Sequence, residues 1–375
     1  MAVCGINAQL LTAEAGYRRA GIHIYLLEVL NHLPANAEID YKVFTTYPLT
    51  QDLGQPTEWL ETASFTAHPI GRILWEQIVW PLRARWNGCN LLHGTAFSLP
   101  LATSLPSIVT IFDLSFIYYP ELYPKFRRIY LNKMTRLACK KAKTIITISE
   151  SAKNDIATLY NIEKERIKVI YPGLRTGFTP PSQKKVEEFR KQKQLPDRFV
   201  LHVGTLQPRK NLPFLIKAFA QADLLDVDLV FAGGKGWFFE EIFSTVENLG
   251  LTERIHFPGY VPDEELPLWY AAADLLVFPS VYEGFGMPII EAMGCGTPVL
   301  ASNASAIPEA VGNVGRLFDP LNVSNLAESM RTLLENQEQL AKMRELGPAH
   351  AQKFSWARAG EETAKLYLET VSKVS

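Results

Sequence analysis

The sequence predicts an α/β protein made of two successive doubly wound, parallel-sheet domains. Three observations carry this expectation. The chain has 375 residues, more than one hydrophobic core usually organises, so two domains of ordinary size are expected. Short apolar, β-branched runs alternate with helical patterns along its whole length. The alternation pauses once, between Gly173 and Ser182, where Gly177, Pro180 and Pro181 cluster, and then restarts.

In the first cycle, residues 3–7, 41–45, 90–93, 107–112, 144–149 and 168–171 read as strands with helices between them. In the second, residues 199–204, 227–233, 254–257, 275–278 and 298–302 do so. A run of this kind places helices on both faces of a parallel sheet. The boundaries expected are residues 1–175 for the first domain and 176–355 for the second. Residues 356–375 form a terminal helical segment that no strand follows. Ligands of open α/β sheets bind beyond the C-terminal strand ends, so two such domains facing each other would share one deep cleft.

Composition narrows the function. With 47% apolar and 21% charged residues the chain is an ordinary globular protein. Through Pro180 there are 19 Lys and Arg against 14 Asp and Glu, a net of +5; the remainder has 19 against 25, a net of −6. A positive first half can approach an anionic surface, while the overall charge of −1 argues against a dedicated nucleic-acid binder. Cys4, Cys89, Cys139 and Cys295 lack zinc-ligand or redox spacing and read as buried, reduced thiols. No apolar run reaches the roughly 18 residues of a spanning helix, and no basic, apolar leader opens the chain, so a cytoplasmic protein is expected.

The most informative tract is 279–298, which follows the strand at 275–278. Gly284 and Gly286 let the backbone approach a ligand closely, and Pro288 suits the first residue of a helix that Gly294 and Gly296 stop. Amides at that helix start favour a phosphate or a hydroxyl-rich sugar. Glu283 in the loop and Glu291 in the helix's first turn can face one crevice, where carboxylates accept from vicinal hydroxyls. Acidic residues eight apart also arise by chance, with Glu291 merely favouring the helix dipole. A second tract, 199–212, runs strand, Gly204 turn, then Arg209 and Lys210 just before a helix. Adjacent cations there suit a diphosphate, whose departure develops charge that fixed cations stabilise. Solvated surface cations are the alternative.

The 279–298 tract resembles the Glu-(seven residues)-Glu motif of the retaining nucleotide-sugar glycosyltransferases of family 4. The resemblance runs essentially end to end and lies nearest to bacterial mannosyltransferase-like members. It implies a GT-B architecture of two Rossmann-like domains across a cleft, with the terminal helix returning to the first domain. It implies hexose transfer, mannose among the candidates, from a nucleotide-diphosphate sugar to a saccharide or lipid-linked saccharide acceptor in cell-surface polysaccharide synthesis. In that scheme Glu291 holds the ribose. Glu283 with the amides of Gly284, Phe285, Gly286 and Met287 holds the donor sugar, and Arg209 with Lys210 holds the diphosphate. Gly204 matches the family's glycine, and Thr205 stands where an arginine often follows it, so Arg209 would supply the second positive charge.

Other matches are partial. In the stretch from Gly16 to Ile22, Gly21 matches the family's phosphate-side glycine, while His23-Ile24-Tyr25 departs from its usual Gly-Arg-Tyr. The strand 108–112 matches one that ends in His-Asp, but Phe112 replaces the histidine that lies beside the transferred sugar; Asp113 keeps the acid, as a site residue or a cap. His93, at a strand end, is either a sugar or acceptor contact or a structurally satisfied histidine. The loop 257–263 corresponds to the base-binding loop. Backbone groups near Val261 would meet the nucleobase, and Asp263 would accept from guanine, favouring a GDP-sugar unless it is an N-cap.

Asp226 and Asp228 resemble a metal-holding Asp-x-Asp element but open an apolar strand without a second acidic cluster, so no metal and no cofactor are expected. The helix after Pro124 sets Phe126, Tyr130, Met134 and Leu137 beside Lys125, Arg128, Arg136 and Lys140. It reads as a core stripe with a solvated face, or as a helix lying on anionic lipid at the inner face of the membrane. Rival readings are a sugar-nucleotide epimerase or a phosphorylase of like architecture, the latter without a marked cofactor lysine, and a non-catalytic nucleotide-sugar sensor suggested by Phe112.

Overall fold

The computed structural model describes residues 1–11, 21–46, 57–62, 66 and 69–372. The chain divides into two compact units, Met1–Pro172 with Ser355–Ser375, and Gly173–Phe354.

The first unit is built on a seven-stranded, wholly parallel sheet: β1 (Ala2–Asn7), β2 (Ile39–Thr45), β3 (Thr57–Glu61), β4 (Leu91–Gly94), β5 (Ser107–Ile111), β6 (Thr144–Thr147) and β7 (Ile167–Val169). Its order is β3-β2-β1-β4-β5-β6-β7. The second carries six parallel strands: β8 (Phe199–Val203), β9 (Asp228–Ala232), β10 (Ile255–Gly259), β11 (Leu275–Phe278), β12 (Val299–Ser302) and β13 (Arg316–Phe318), in the order β10-β9-β8-β11-β12-β13. Strands buried on both faces need continuous apolar runs, which Leu275-Leu276-Val277-Phe278 and Phe199-Val200-Leu201 supply at 0% exposure.

Both sheets wind outward from their first strand, then cross back and continue on its other side. The reversal therefore falls between β1 and β4 in one unit and between β8 and β11 in the other. Such a switch point leaves a crevice beyond the strand ends because the two flanking connections depart in opposite directions. The doubly wound, parallel α/β class expected from the sequence is the one observed. Two strands escaped the sequence reading, β3 and β13, both at sheet edges where only half the burial that writes an apolar run is required.

Helix Trp356–Ser372 belongs to the first unit and packs on helix Ile22–Asn31. Gly360 allows the approach, since a Cβ there would lie 2.0 Å from the His32 carbonyl oxygen. Its Trp356 ring meets Tyr25 edge-on at 5.6 Å, and Tyr367 reaches His93. Among the described residues no helix is long and apolar enough to cross a membrane.

Candidate functional site

The two tracts singled out in the sequence leave β8 and β11, the neighbouring strands at the second unit's switch point. Gly204 follows β8, and its amide donates to the Ala232 carbonyl at 3.0 Å. A Cβ on Gly233 would fall 2.0 Å from the Gly204 oxygen, so the backbones past β8 and β9 touch without side chains between them. Beyond this turn a single 3-10 turn, Pro208–Lys210, delivers both cations toward the β11 loop.

The loops are stitched together there. The Val281 amide donates to the Arg209 carbonyl at 3.1 Å, and Arg209 Nη1 donates to the Tyr282 carbonyl at 3.1 Å. Lys210 Nζ donates to Glu283 Oε1 at 2.7 Å, while Arg209 Nη1 stands 3.3 Å from Glu283 Oε2. Lys210 also lies over the Phe278 ring, 4.9 Å from its centroid. Ser305 fixes the backbone of Glu283 from both sides, accepting from its amide at 2.8 Å and donating to its carbonyl at 3.1 Å. Burial alone would raise the Glu283 carboxyl; Arg209 and Lys210 overcome it and bring the group down to about 2. Burial pushes the Lys210 ammonium down, with Glu283 opposing. The result is two cations and one carboxylate prearranged at a strand-end crevice.

Gly286, at φ +106°, caps helix Met287–Gly294, a left-handed conformation that glycine adopts without strain. The helix begins one residue earlier than expected, and Pro288 is its second residue. Glu291 is therefore the fifth, in the second turn, out of reach of the first-turn dipole effect expected of it. Its partners are side chains instead. Arg175 Nε donates to Glu291 Oε1 at 2.8 Å, and Tyr270 Oη donates to Oε2 at 3.0 Å. Arg175 Nη1 meets Asp263 Oδ2 at 3.1 Å, so one guanidinium ties the expected ribose-side and base-side carboxylates together. Burial would lower the Arg175 guanidinium, but Glu291 and Asp263 hold it charged and raise it. Asp263 does not cap the helix Leu266–Ala272, whose N-cap is Glu265. Val261 is buried beside it.

Glu283, Arg209 and Lys210 thus form one cluster and Glu291, Asp263 and Arg175 another. Gly284, Phe285, Gly286 and Met287 lead from Glu283 into the helix that carries Glu291. Arg175, Tyr270, Ser305 and His202 were missed. Arg175 lies in the stretch read as a linker, 116 residues from Glu291. His202 is fully buried on β8, pushed down to about 3 by burial and then by Lys210.

For His93 and for the helix after Pro124 the expectation is corrected; the other residues are placed as follows. His93 is 4% exposed, and both ring nitrogens are used within the first unit, Nδ1 with Tyr367 Oη at 2.7 Å and Nε2 with Thr110 Oγ1 at 2.8 Å. Burial pushes it down to about 3. It is a structural histidine with no capacity left for a sugar. Asp113 Oδ1 accepts from the Ser115 amide at 2.9 Å, two residues on, in an Asx-type turn ahead of the short helix Ser115–Tyr118. Phe112 is buried against Tyr25 and Phe97, at centroid distances of 5.2 and 6.0 Å. Gly21 is the N-cap of helix Ile22–Asn31, with φ +45°; Gly16 to Ala20 lie outside the described residues. Asp226 pairs with Arg198, and Asp228 with Arg254 and His256, so the Asp-x-Asp carboxylates serve as ion-pair partners. On helix Lys125–Lys141 the buried positions are Thr135, Ala138 and Cys139, and Phe126 is 88% exposed; the apolar side named from the sequence is not the core stripe.

Comparison with known proteins gives the family and the fold. Residues 19–178 match the model of glycosyltransferase family 4, and residues 183–350 that of glycosyl transferases group 1. The chain is 33% identical over 373 residues to the O-antigen chain mannosyltransferase B of Escherichia coli, covering 95% of this chain and 98% of that one. It is 31% identical over 298 residues to the serotype-specific mannosyltransferase WbdA of Escherichia coli, of which that region is 36%. Among solved structures, sucrose-phosphate synthase from Thermosynechococcus elongatus superposes over the full length of both chains with a TM-score of 0.78 at 23% identity, a likeness of fold.

Proposed function

The chain belongs to the group 1 and family 4 glycosyltransferases, and from that premise we propose that it moves a hexose, by our reading mannose, from a nucleotide-diphosphate sugar to a saccharide or lipid-linked saccharide acceptor in cell-surface polysaccharide synthesis. Transfer proceeds with retention and needs neither metal nor cofactor. The carrying observation is the Arg209, Lys210 and Glu283 cluster at the switch point between β8 and β11.

The pyrophosphate binds against Lys210 and Arg209. As the bond from sugar C1 to the phosphate oxygen breaks, negative charge grows on that oxygen, and cations already in place stabilise it without reorganisation. The acceptor oxygen forms its bond to C1 on the face the phosphate leaves and passes its proton to the departing phosphate, so no protein nucleophile is required. Glu283 and the amides of Gly284 to Met287 orient the sugar, while Glu291, held by Arg175 and Tyr270, takes the ribose hydroxyls. Asp263 favours a guanine base. A thermal-shift panel of GDP-, UDP-, ADP- and dTDP-sugars on the native protein, Lys210→Ala and Glu291→Ala tests this: one donor class should stabilise the native protein and neither variant. Turnover abolished by EDTA would exclude the metal-free reaction.

Peripheral contact at the inner membrane face completes the reading. From residue 69 to 86 a helical stretch with a π turn at its centre, Trp75–Val79, exposes Ile70, Leu74, Ile78, Leu82 and Trp86, one every fourth residue, while Trp75, Trp80 and Ala84 fill the core behind. An α-helix rotates such a series by about 40° per step, a drift that the wider π turn reduces. The neighbouring helix Lys125–Lys141 adds exposed Phe126 and Ile129 and carries seven cations and no carboxylate. Apolar side chains set among cations suit an anionic bilayer.

A further inference from the structure

The first unit has its own switch point, between β1 and β4, and buried polar groups collect there. Asn7 ends β1, is 6% exposed, and hydrogen-bonds Glu76 through its side chain, yet its Oδ1 has no partner. Glu76 sits in the π turn, and its Oε2 accepts from Ser98 Oγ at 2.6 Å, Ser98 lying four residues past β4. Arg72, one turn earlier, faces Glu76 with its Nε buried and unpartnered. The Tyr130 hydroxyl, in the fields of Glu76 and Arg72, is also buried without a partner.

Folded chains rarely leave buried polar atoms unpaired, and three around one carboxylate at a switch point call for a ligand that pairs them. The chemistry of that ligand follows from the atoms on offer. Asn7 Oδ1 accepts, Glu76 has lone pairs to spare, Arg72 Nε donates, and Tyr130 does either. Mixed donors and acceptors at close quarters match adjacent hydroxyls, each of which donates and accepts. A phosphate would meet the Glu76 carboxylate, and a metal ion would meet Arg72. The π turn, a rare feature that concentrates at functional sites, carries Glu76 itself.

We propose that Asn7, Arg72, Glu76 and Tyr130 bind hydroxyls of the acceptor saccharide, with Ser98 holding the Glu76 carboxylate in position. The assignment rests on the glycosyl-transfer reading and adds to it where the acceptor is held. Burial pushes the Glu76 carboxyl up, opposed by Ser98, Arg72 and Asn7, so the group can accept when ionised and donate when protonated.

Octyl α-mannoside, glucoside, galactoside and N-acetylglucosaminide serve as acceptor probes at saturating nucleotide sugar. Glu76→Gln, Asn7→Ala and Tyr130→Phe should each raise the acceptor KM at least tenfold while the donor's thermal shift stays as in the native protein. Unchanged acceptor KM, or loss of the donor shift in step, overturns the assignment in favour of a structural role. Tyr130→Phe removes one oxygen and keeps the test sound if Asn7→Ala fails to fold. If none of the four probes is turned over, saturation-transfer NMR decides: a probe contact that weakens in Tyr130→Phe supports the site, and no contact or an equal one overturns it. Absence of any donor shift in the native protein would instead indict the glycosyl-transfer reading.

Discussion

Lys210 and Glu283 lie 73 residues apart in the chain and 2.7 Å apart in the fold, each about a tenth exposed, at the ends of adjacent strands. A buried pair of this kind adds little net stability, because desolvating both charges offsets their attraction. In the proposed reaction what it provides is position: the ammonium is held for an arriving diphosphate, with Arg209 beside it.

Lys210→Ala should therefore reduce kcat/KM by about a hundredfold or more, the loss typical of removing one group that stabilises developing charge. It also leaves Glu283 buried with Arg209 alone, a cost on the order of 3 kcal/mol. Adding Glu283→Gln should return much of that stability and none of the activity. Steady-state kinetics and urea unfolding of the three proteins check both halves. Activity restored in the double variant would refute the assignment of Lys210 to the leaving group.

Arg175 positions Glu291 by a fork that no lysine reproduces. Arg175→Ala should raise the donor KM roughly tenfold with a smaller change in kcat, and Arg175→Lys should stay close to the alanine variant, because a single ammonium cannot bridge Glu291 and Asp263 in the same geometry. Full rescue by lysine would show that charge alone suffices.

Acid should destabilise the protein before it protonates surface carboxylates. His93 and His202 are held near 3, below the unfolded value of about 6.5, so the unfolded chain binds the protons first. Their contribution is complete above about pH 6.5 and is lost as pH falls toward 3. Glu283, near 2 against about 4.3 unfolded, extends the loss below pH 4.3 in the same direction. Urea midpoints at pH 7, 6, 5 and 4 should decline steadily, and His93→Gln should decline less steeply. A midpoint that rises on acidification would contradict the buried, neutral histidines.

Vesicles containing phosphatidylglycerol should carry the protein in flotation, and phosphatidylcholine vesicles should not, with binding lost at high salt. Ile78→Gln with Trp86→Gln should cut the bound fraction at least tenfold, since both side chains stand outside the core, Trp86 at 80% exposure. Flotation indifferent to lipid charge or to these substitutions would remove the membrane contact.

Legibility in the sequence followed the length scale of the forces. The parallel sheets and the two strand-end tracts were readable because runs such as Leu275–Phe278 and the glycines at 284 and 286 are local patterns. Arg175 was not, because its partners lie far away in the chain and a lone arginine near Gly173 and Gly177 has no periodicity. His93 misled because a strand-end histidine looks the same whether or not Tyr367, from the last helix, fills its ring nitrogens. The exposed series from Ile70 to Trp86 was hidden by the core tryptophans that interleave with it; only packing shows which of the apolar residues of this stretch face outward.

A crystal structure with a bound sugar nucleotide, GDP-mannose first, bears most directly on the whole reading. The pyrophosphate should contact Lys210 Nζ and Arg209 beyond β8, with the ribose on Glu291 and the hexose at the Glu283 loop. A nucleotide sugar seated away from both Lys210 and that loop would contradict it.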